Sequence, residues 1–246
     1  MVAIPDRLTD ELFTEGRRQT GHYAGKYFPV SLYMPGIVTS PDMPDDTMHQ
    51  IRRAHQRVRE RPRIGMYETV GGTVPVELDP HDSPYLGVTE FGRQYGKIRP
   101  TRIGINRRVS GRKAGRVAEH ELMHALSAPL LEYMDVGHHT RTLIMESYAE
   151  FGGIKADPAN KSEILDTTPY TPAIKFGMYV DKFYRSMDGS TGYAAFIMDI
   201  QRNRSVRRTL QHLGSNIKEA MARGEDPIRA TEREYDREMA AVRKAA

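Results

Sequence analysis

The residues best suited to chemistry lie in one short segment, Glu119–Leu126, which reads EHELMHAL. His120 and His124 are four residues apart, so on a helix they occupy one face, one turn apart, and can share one metal ion. Glu121 is rotated by about 100° from His120 around such a helix. Its carboxylate therefore lies beside the ion, where it can take a proton from a water molecule. This spacing predicts hydrolytic chemistry with Glu121 as general base.

A catalytic zinc ion needs a third protein ligand and leaves one coordination position for water. Glu146 is the preferred candidate, 22 residues after His124. Glu150 follows one helical turn later, where a second carboxylate could accept a hydrogen bond from the free ring nitrogen of a ligand histidine. Three other residues remain alternatives for the third ligand: Asp135, His138 and His139.

The segment Ala118–Gly152 resembles the gluzincins, zinc metallopeptidases of the zincin clan with HExxH on one helix and a glutamate ligand on a following helix. The matching residues are His120, Glu121 and His124, then Glu146, with Glu150 where the family commonly has aspartate. Ser127 and Leu130 stand where metzincins have glycine and histidine, which excludes that class. The resemblance implies one catalytic Zn²⁺ ion and a peptide or protein substrate.

The same resemblance implies how the reaction proceeds. Glu121 takes the proton of a zinc-activated water and then delivers it to the leaving amine. Gluzincins often add an oxyanion donor from their C-terminal helices, for which the candidates are Tyr170, Tyr179, Tyr184 and His212. Zincins also pair substrate with the edge strand of a twisted sheet. The segment Ile98–Asn106, directly before the active-site helix, is the expected edge strand.

The order of the secondary-structure signals, with strands first and helices afterwards, predicts an α+β fold. With the resemblance, the expected fold is zincin-like: a small, twisted, mostly antiparallel sheet, the active-site helix and a mainly helical C-terminal subdomain. The expected organisation is an irregular arm over residues 1–45, an α/β subdomain over 46–128 ending in the HExxH helix, and a helical subdomain over 129–246 that supplies the third ligand.

Local patterns place the individual elements. Two β-rich runs, Arg63–Val70 and Thr73–Leu78, flank Gly71 and Gly72 and predict a hairpin. Further strands are predicted over Tyr85–Phe91 and Lys97–Arg107. Helices are predicted over Asp6–Arg17, Asp45–Glu60, Gly111–Ser127 with Ser110 as N-cap, Thr142–Gly152, Ala173–Met187, Thr191–Leu213, Ser215–Arg223 and Asp226–Lys244.

Composition excludes several classes of protein. The 246 residues contain no cysteine, which excludes a disulfide framework and thiolate metal sites. Any zinc must therefore be held by histidine and carboxylate. No apolar run is long enough to span a bilayer and no signal-peptide layout is present, so a soluble, cytoplasmic protein is expected.

Basic residues concentrate in Arg52–Arg63, Arg99–Arg116 and Gln201–Arg208, although the net charge is only +4. No aromatic interleaving or phosphate-binding loop accompanies them, which favours solvated faces over a nucleic-acid surface. Two other functions remain open. One is a non-catalytic binding or structural protein on a zincin-like scaffold, its metal site closed by His138 or His139 as a fourth ligand. The other is a latent peptidase whose cleft is filled by residues 1–45 or the C-terminal tail.

Overall fold

The computed structural model of the chain describes residues 32–33, 36–60, 67–68, 73–156, 170–188 and 192–245. This part is a mixed α/β fold in which helices predominate. In chain order its elements are β1 (Leu32–Tyr33), β2 (Gly36–Thr39), α1 (Asp45–Glu60), β3 (Tyr67–Glu68), β4 (Thr73–Asp79), β5 (Gly87–Gln94), β6 (Lys97–Asn106), α2 (Gly111–Ser127), a 3-10 helix (Ala128–Tyr133), α3 (His138–Ala156), α4 (Thr171–Asp188), α5 (Tyr193–Asn203), α6 (Val206–Gln211), α7 (Ser215–Ala222) and α8 (Pro227–Ala245).

Four strands form one mixed sheet in the order β2-β4-β6-β5. The β2/β4 and β4/β6 pairs are parallel, and only β5/β6 is antiparallel. The expected mostly antiparallel sheet is therefore wrong. Parallel neighbours need a long crossover connection, and α1 lies in the connection between β2 and β4. Because of this crossover, strands that follow each other in sequence are not always neighbours in the sheet.

The predicted hairpin around Gly71 and Gly72 is also wrong. Strand β3 pairs with β1 in a separate two-stranded sheet, whereas β4 pairs with β2 and β6. The two glycines themselves lie outside the described residues. The hairpin that does form joins β5 to β6 through Tyr95 and Gly96, which have φ values of 51° and 75°. Two successive positive φ values are typical of the tight type I′ turn.

This hairpin decides which strand lies at the edge of the sheet. Strand β6 lies between β4 and β5, so the expected edge strand Ile98–Asn106 is wrong. The described residues leave one edge at β2 and the other at β5, and it is β5 that lies next to β6. The neighbour of β5 in space is α2, because a methyl group added at Gly87 would lie 2.5 Å from Cγ1 of Val117.

The helices agree better with expectation. The predictions Asp45–Glu60 and Gly111–Ser127 are confirmed as α1 and α2, although the Ser110 side chain makes no capping hydrogen bond. The predicted helix Thr191–Leu213 is interrupted because Arg204 adopts a left-handed φ of 51°, which ends α5 before α6 begins. The predicted helix Asp6–Arg17 lies outside the described residues.

Helix α2 runs through the middle of the hydrophobic core. Leu122, Met123 and Leu126 are almost completely buried. A methyl group at Gly115 would lie 3.1 Å from Cβ of Gln50, so α1 and α2 approach each other closely there. The helix is thereby fixed between α1 and the sheet. Among the described residues, no helix combines the length and the apolar character needed to cross a bilayer.

Candidate metal site

Two neighbouring helices bring three potential metal ligands together. His120 and His124 lie on α2, and Glu146 lies on α3. Nε2 of His120 is 3.0 Å from Nε2 of His124 and 3.3 Å from Oε2 of Glu146. Nε2 of His124 is 3.6 Å from the same carboxylate oxygen. This group could hold a metal ion, and the described part of the chain contains no second group of this kind.

The charge distribution of the site favours a bound cation. Burial lowers the pKa of His120, but its close contact with Glu146 and the charges of Glu121, Glu150 and Glu146 raise that pKa to about 9. Burial raises the pKa of Glu146, but its contacts with His120 and His124 lower it to about 2. Oε2 of Glu146 is also buried and makes no hydrogen bond to the described residues. A buried carboxylate oxygen in this state is suited to bind a cation.

Glu150 lies on the other side of the His120 ring. Its Oε1 is 3.7 Å from Nδ1 of His120, whereas Nε2 of that ring is directed at Glu146. At 3.7 Å this contact is longer than a hydrogen bond, but the negative charge favours a proton on Nδ1 and leaves Nε2 as the ligand nitrogen. The structure thus places Glu150 where the sequence analysis expects a supporting carboxylate.

The side chain of Glu121 contacts the edge strand β5. Its side chain is buried, and Oε2 accepts a hydrogen bond of 2.8 Å from the Thr89 hydroxyl. A methyl group at Gly87 would lie 2.8 Å from both Cγ and Oε1 of Glu121. Neither Thr89 nor Gly87 can be recognised from the sequence alone, because their position beside Glu121 depends on the pairing of β5 with β6.

A second glutamate of the same helix has a different partner. Glu119, directly before His120, is buried and forms a 2.9 Å ion pair with Arg57 of α1. The sequence analysis assigned no role to Glu119. Since Glu119 and His120 are consecutive, this ion pair ties the helical turn that carries the ligand to α1.

The structure separates the four candidates for an oxyanion donor. The hydroxyl of Tyr179 donates to the carbonyl oxygen of Leu213, and that of Tyr184 donates to Asp199. His212 lies at the exposed end of α6.

Tyr170 is the candidate that lies near the triad. Burial raises its pKa, and the negative charges of Glu146, Glu150 and Glu121 raise it further, so the phenol is within electrostatic range of these carboxylates. Tyr170 directly precedes α4, which packs against α3. A tyrosine hydroxyl is protonated at neutral pH, and the raised pKa of Tyr170 does not change this, so it can donate a hydrogen bond.

The three residues considered as alternative third ligands lie outside the ligand group. His138 and His139 are exposed in the first turn of α3 and do not belong to the ligand group. Asp135 accepts hydrogen bonds from the Ser205 hydroxyl and, at 2.9 Å, from the backbone nitrogen of Arg207. Its carboxylate therefore stabilises the first turn of α6.

Comparisons of the chain with known protein families, with curated proteins and with solved structures found no match. The functional argument therefore depends on the geometry of the site itself.

Proposed function

We propose that the chain is a zinc-dependent peptidase whose zinc ion is held by His120, His124 and Glu146. The convergence of their three ligand atoms is the observation that carries the proposal. Two ligands about 2.0–2.1 Å from a tetrahedral zinc ion are about 3.3–3.4 Å apart. The three separations here, 3.0, 3.3 and 3.6 Å, are centred on that value. Two imidazoles and one carboxylate also form the ligand set of hydrolytic zinc sites.

Glu121 is the general base and general acid of the proposed reaction. When bound, zinc supplies a Lewis acid that acidifies a water molecule and polarises the scissile carbonyl. Glu121 accepts the proton that the attacking water loses and passes it to the nitrogen of the leaving amine. Glu121 follows His120 directly on α2, and its carboxylate contributes to the raised pKa of that histidine, which supports its closeness to the ligand triad.

The surface beside this site suits an extended peptide. An edge strand can add the main chain of a peptide through backbone hydrogen bonds. Strand β5 has such an edge next to Glu121. Four of the five large apolar side chains that are exposed among the described residues lie on β5 or next to it: Tyr85, Leu86, Phe91 and Tyr95. We therefore propose a peptide substrate with apolar side chains.

A combined metal and cleavage experiment tests the proposed function. The purified chain should contain one zinc ion by mass spectrometry, with an anomalous peak between the three ligands at the zinc edge. It should cleave peptides of a random library, lose this activity to a chelator and regain it with zinc. A chain that binds zinc with four protein ligands and cleaves nothing would contradict the proposal in favour of a structural metal site. A chain that binds no metal would contradict both the peptidase and the structural metal site.

The variant Tyr170→Phe tests the oxyanion donor. Removing this hydroxyl should lower kcat about 10²–10³-fold with KM nearly unchanged, because the developing oxyanion loses one hydrogen bond. Steady-state kinetics on a cleaved library peptide measure both constants. Tyr179→Phe is the matched control, since its hydroxyl bonds to Leu213 instead. If the two variants have equal kcat values, Tyr170 is not the donor.

A further inference from the structure

One hydroxyl group joins the edge strand to the proposed general base. Oγ1 of Thr89 is 2.8 Å from Oε2 of Glu121 and 2.9 Å from the backbone oxygen of Glu121. Thr89 is on β5 and Glu121 is on α2, so these contacts connect two elements that are 32 residues apart in sequence. The hydroxyl thus touches both the backbone and the carboxylate of the same residue.

The strand also limits where this carboxylate can lie. Gly87 and Thr89 are two residues apart on β5, so both face the same side of the sheet, towards α2. The missing side chain at Gly87 leaves the space in which Cγ and Oε1 of Glu121 lie, since a methyl group there would be 2.8 Å from both atoms. Steric contact on one side and a hydrogen bond on the other therefore hold the Glu121 side chain in one orientation.

We propose that Thr89 is a positioning residue that orients Glu121 for proton transfer. This inference rests on the proposed peptidase function. Thr89 acts through Glu121 and does not touch the reacting atoms. A glutamate has three side-chain torsions, and without a partner its carboxylate samples orientations that cannot reach the water. Because Thr89 is on the strand proposed to bind substrate, its hydroxyl also fixes the base relative to the bound peptide.

Kinetics of two substitutions test the positioning role. Thr89→Val keeps the shape of the side chain but removes the hydroxyl, so kcat should fall about 10–100-fold while KM and zinc content stay within about threefold. Thr89→Ser restores the hydroxyl and should recover kcat to within about threefold of the wild-type value. A fully active Thr89→Val variant would overturn the proposal. So would a serine variant no better than valine.

A double-mutant cycle tests the contact without any activity. Thr89→Val, Glu121→Ala and the double variant are compared by urea unfolding of the metal-free chain. The effects on the unfolding equilibrium constant should be non-additive by a factor of about five or more, because the two side chains share one hydrogen bond. Additive effects in an active enzyme would overturn the positioning role alone. Coupled effects in a chain that hydrolyses nothing would overturn the proposed function and the positioning role with it.

A substitution at Gly87 tests the steric half of the argument. In Gly87→Ala the new methyl group should displace the Glu121 side chain and lower kcat at least about tenfold, with zinc still bound. Gly92→Ala is the matched control on the same strand, since its methyl group would meet only Cγ2 of Thr101, also at 2.8 Å. Equal kcat values for the two variants would contradict the orientation assigned to Glu121.

Discussion

Glu121→Gln is expected to keep its zinc ion and to lose about 10²–10⁴-fold in kcat, the contribution that general acid–base catalysis makes. The amide has the same size as the carboxylate, and its oxygen can still accept the hydrogen bond from Thr89. It cannot take a proton from water at neutral pH. Zinc content by mass spectrometry and kcat on a library peptide measure the two effects separately.

The neighbouring glutamate provides the control. Glu119 is on the same helix, two residues before Glu121, but its carboxylate is paired with Arg57. Glu119→Gln should therefore lower the free energy of unfolding by about 1–3 kcal/mol and change kcat by less than about threefold. Full activity of Glu121→Gln would mean that another group serves as the base.

Helix α2 could be predicted to the residue because its signals are local. Its apolar periodicity, the HExxH spacing and Pro129 just after its end all lie within one stretch of chain. Glu146 could be chosen as a candidate because Glu150 follows it one turn later on a predicted helix, which the structure has as α3. The start of α3 is at His138, four residues before the predicted start.

The sheet could not be predicted in the same way. Strand β4 pairs with both β2 and β6, and this order depends on the crossover through α1. No local sequence pattern predicts such an order. For this reason the sequence predicts the wrong edge strand, Ile98–Asn106, which lies inside the sheet as part of β6. Thr89 and Gly87, which contact Glu121 only through the edge strand β5, therefore carried no recognisable signal. Tyr170 likewise could be chosen from four candidates only after helix packing was known.

The ion-pair partners of the basic runs could not be predicted from the sequence either. Their arginines pair with acids that are distant in sequence: Arg57 with Glu119, Arg102 with Asp79 and Glu90, and Arg107 with Asp42. These pairs stabilise contacts between elements, as Arg102 does on the sheet. These three arginines therefore have structural partners, and the proposed function needs no nucleic acid.

Removal of one ligand side chain should have the largest effect on the affinity for zinc. Glu146→Ala is expected to weaken zinc binding by about 10²–10³-fold, because a structural zinc site of about 10–16 kcal/mol with four ligands averages about 2.5–4 kcal/mol per ligand. Competition with a chromophoric chelator measures this affinity. The rise in Tm on adding zinc should shrink accordingly, since ligand binding stabilises the folded state by RT ln(1 + c/Kd), where c is the free zinc concentration, and this quantity falls as Kd increases.

Three further variants decide whether the ligand set is correct. Glu150→Gln should cost about 10–100-fold in zinc affinity, the range for a residue that supports a ligand histidine without binding the metal. His138→Ala and His139→Ala should leave the affinity unchanged, because both side chains are exposed at the start of α3. A loss with either histidine variant as large as that with Glu146→Ala would contradict the triad. It would indicate the closed site of a structural zinc, and peptide hydrolysis would then be absent from the wild-type chain as well.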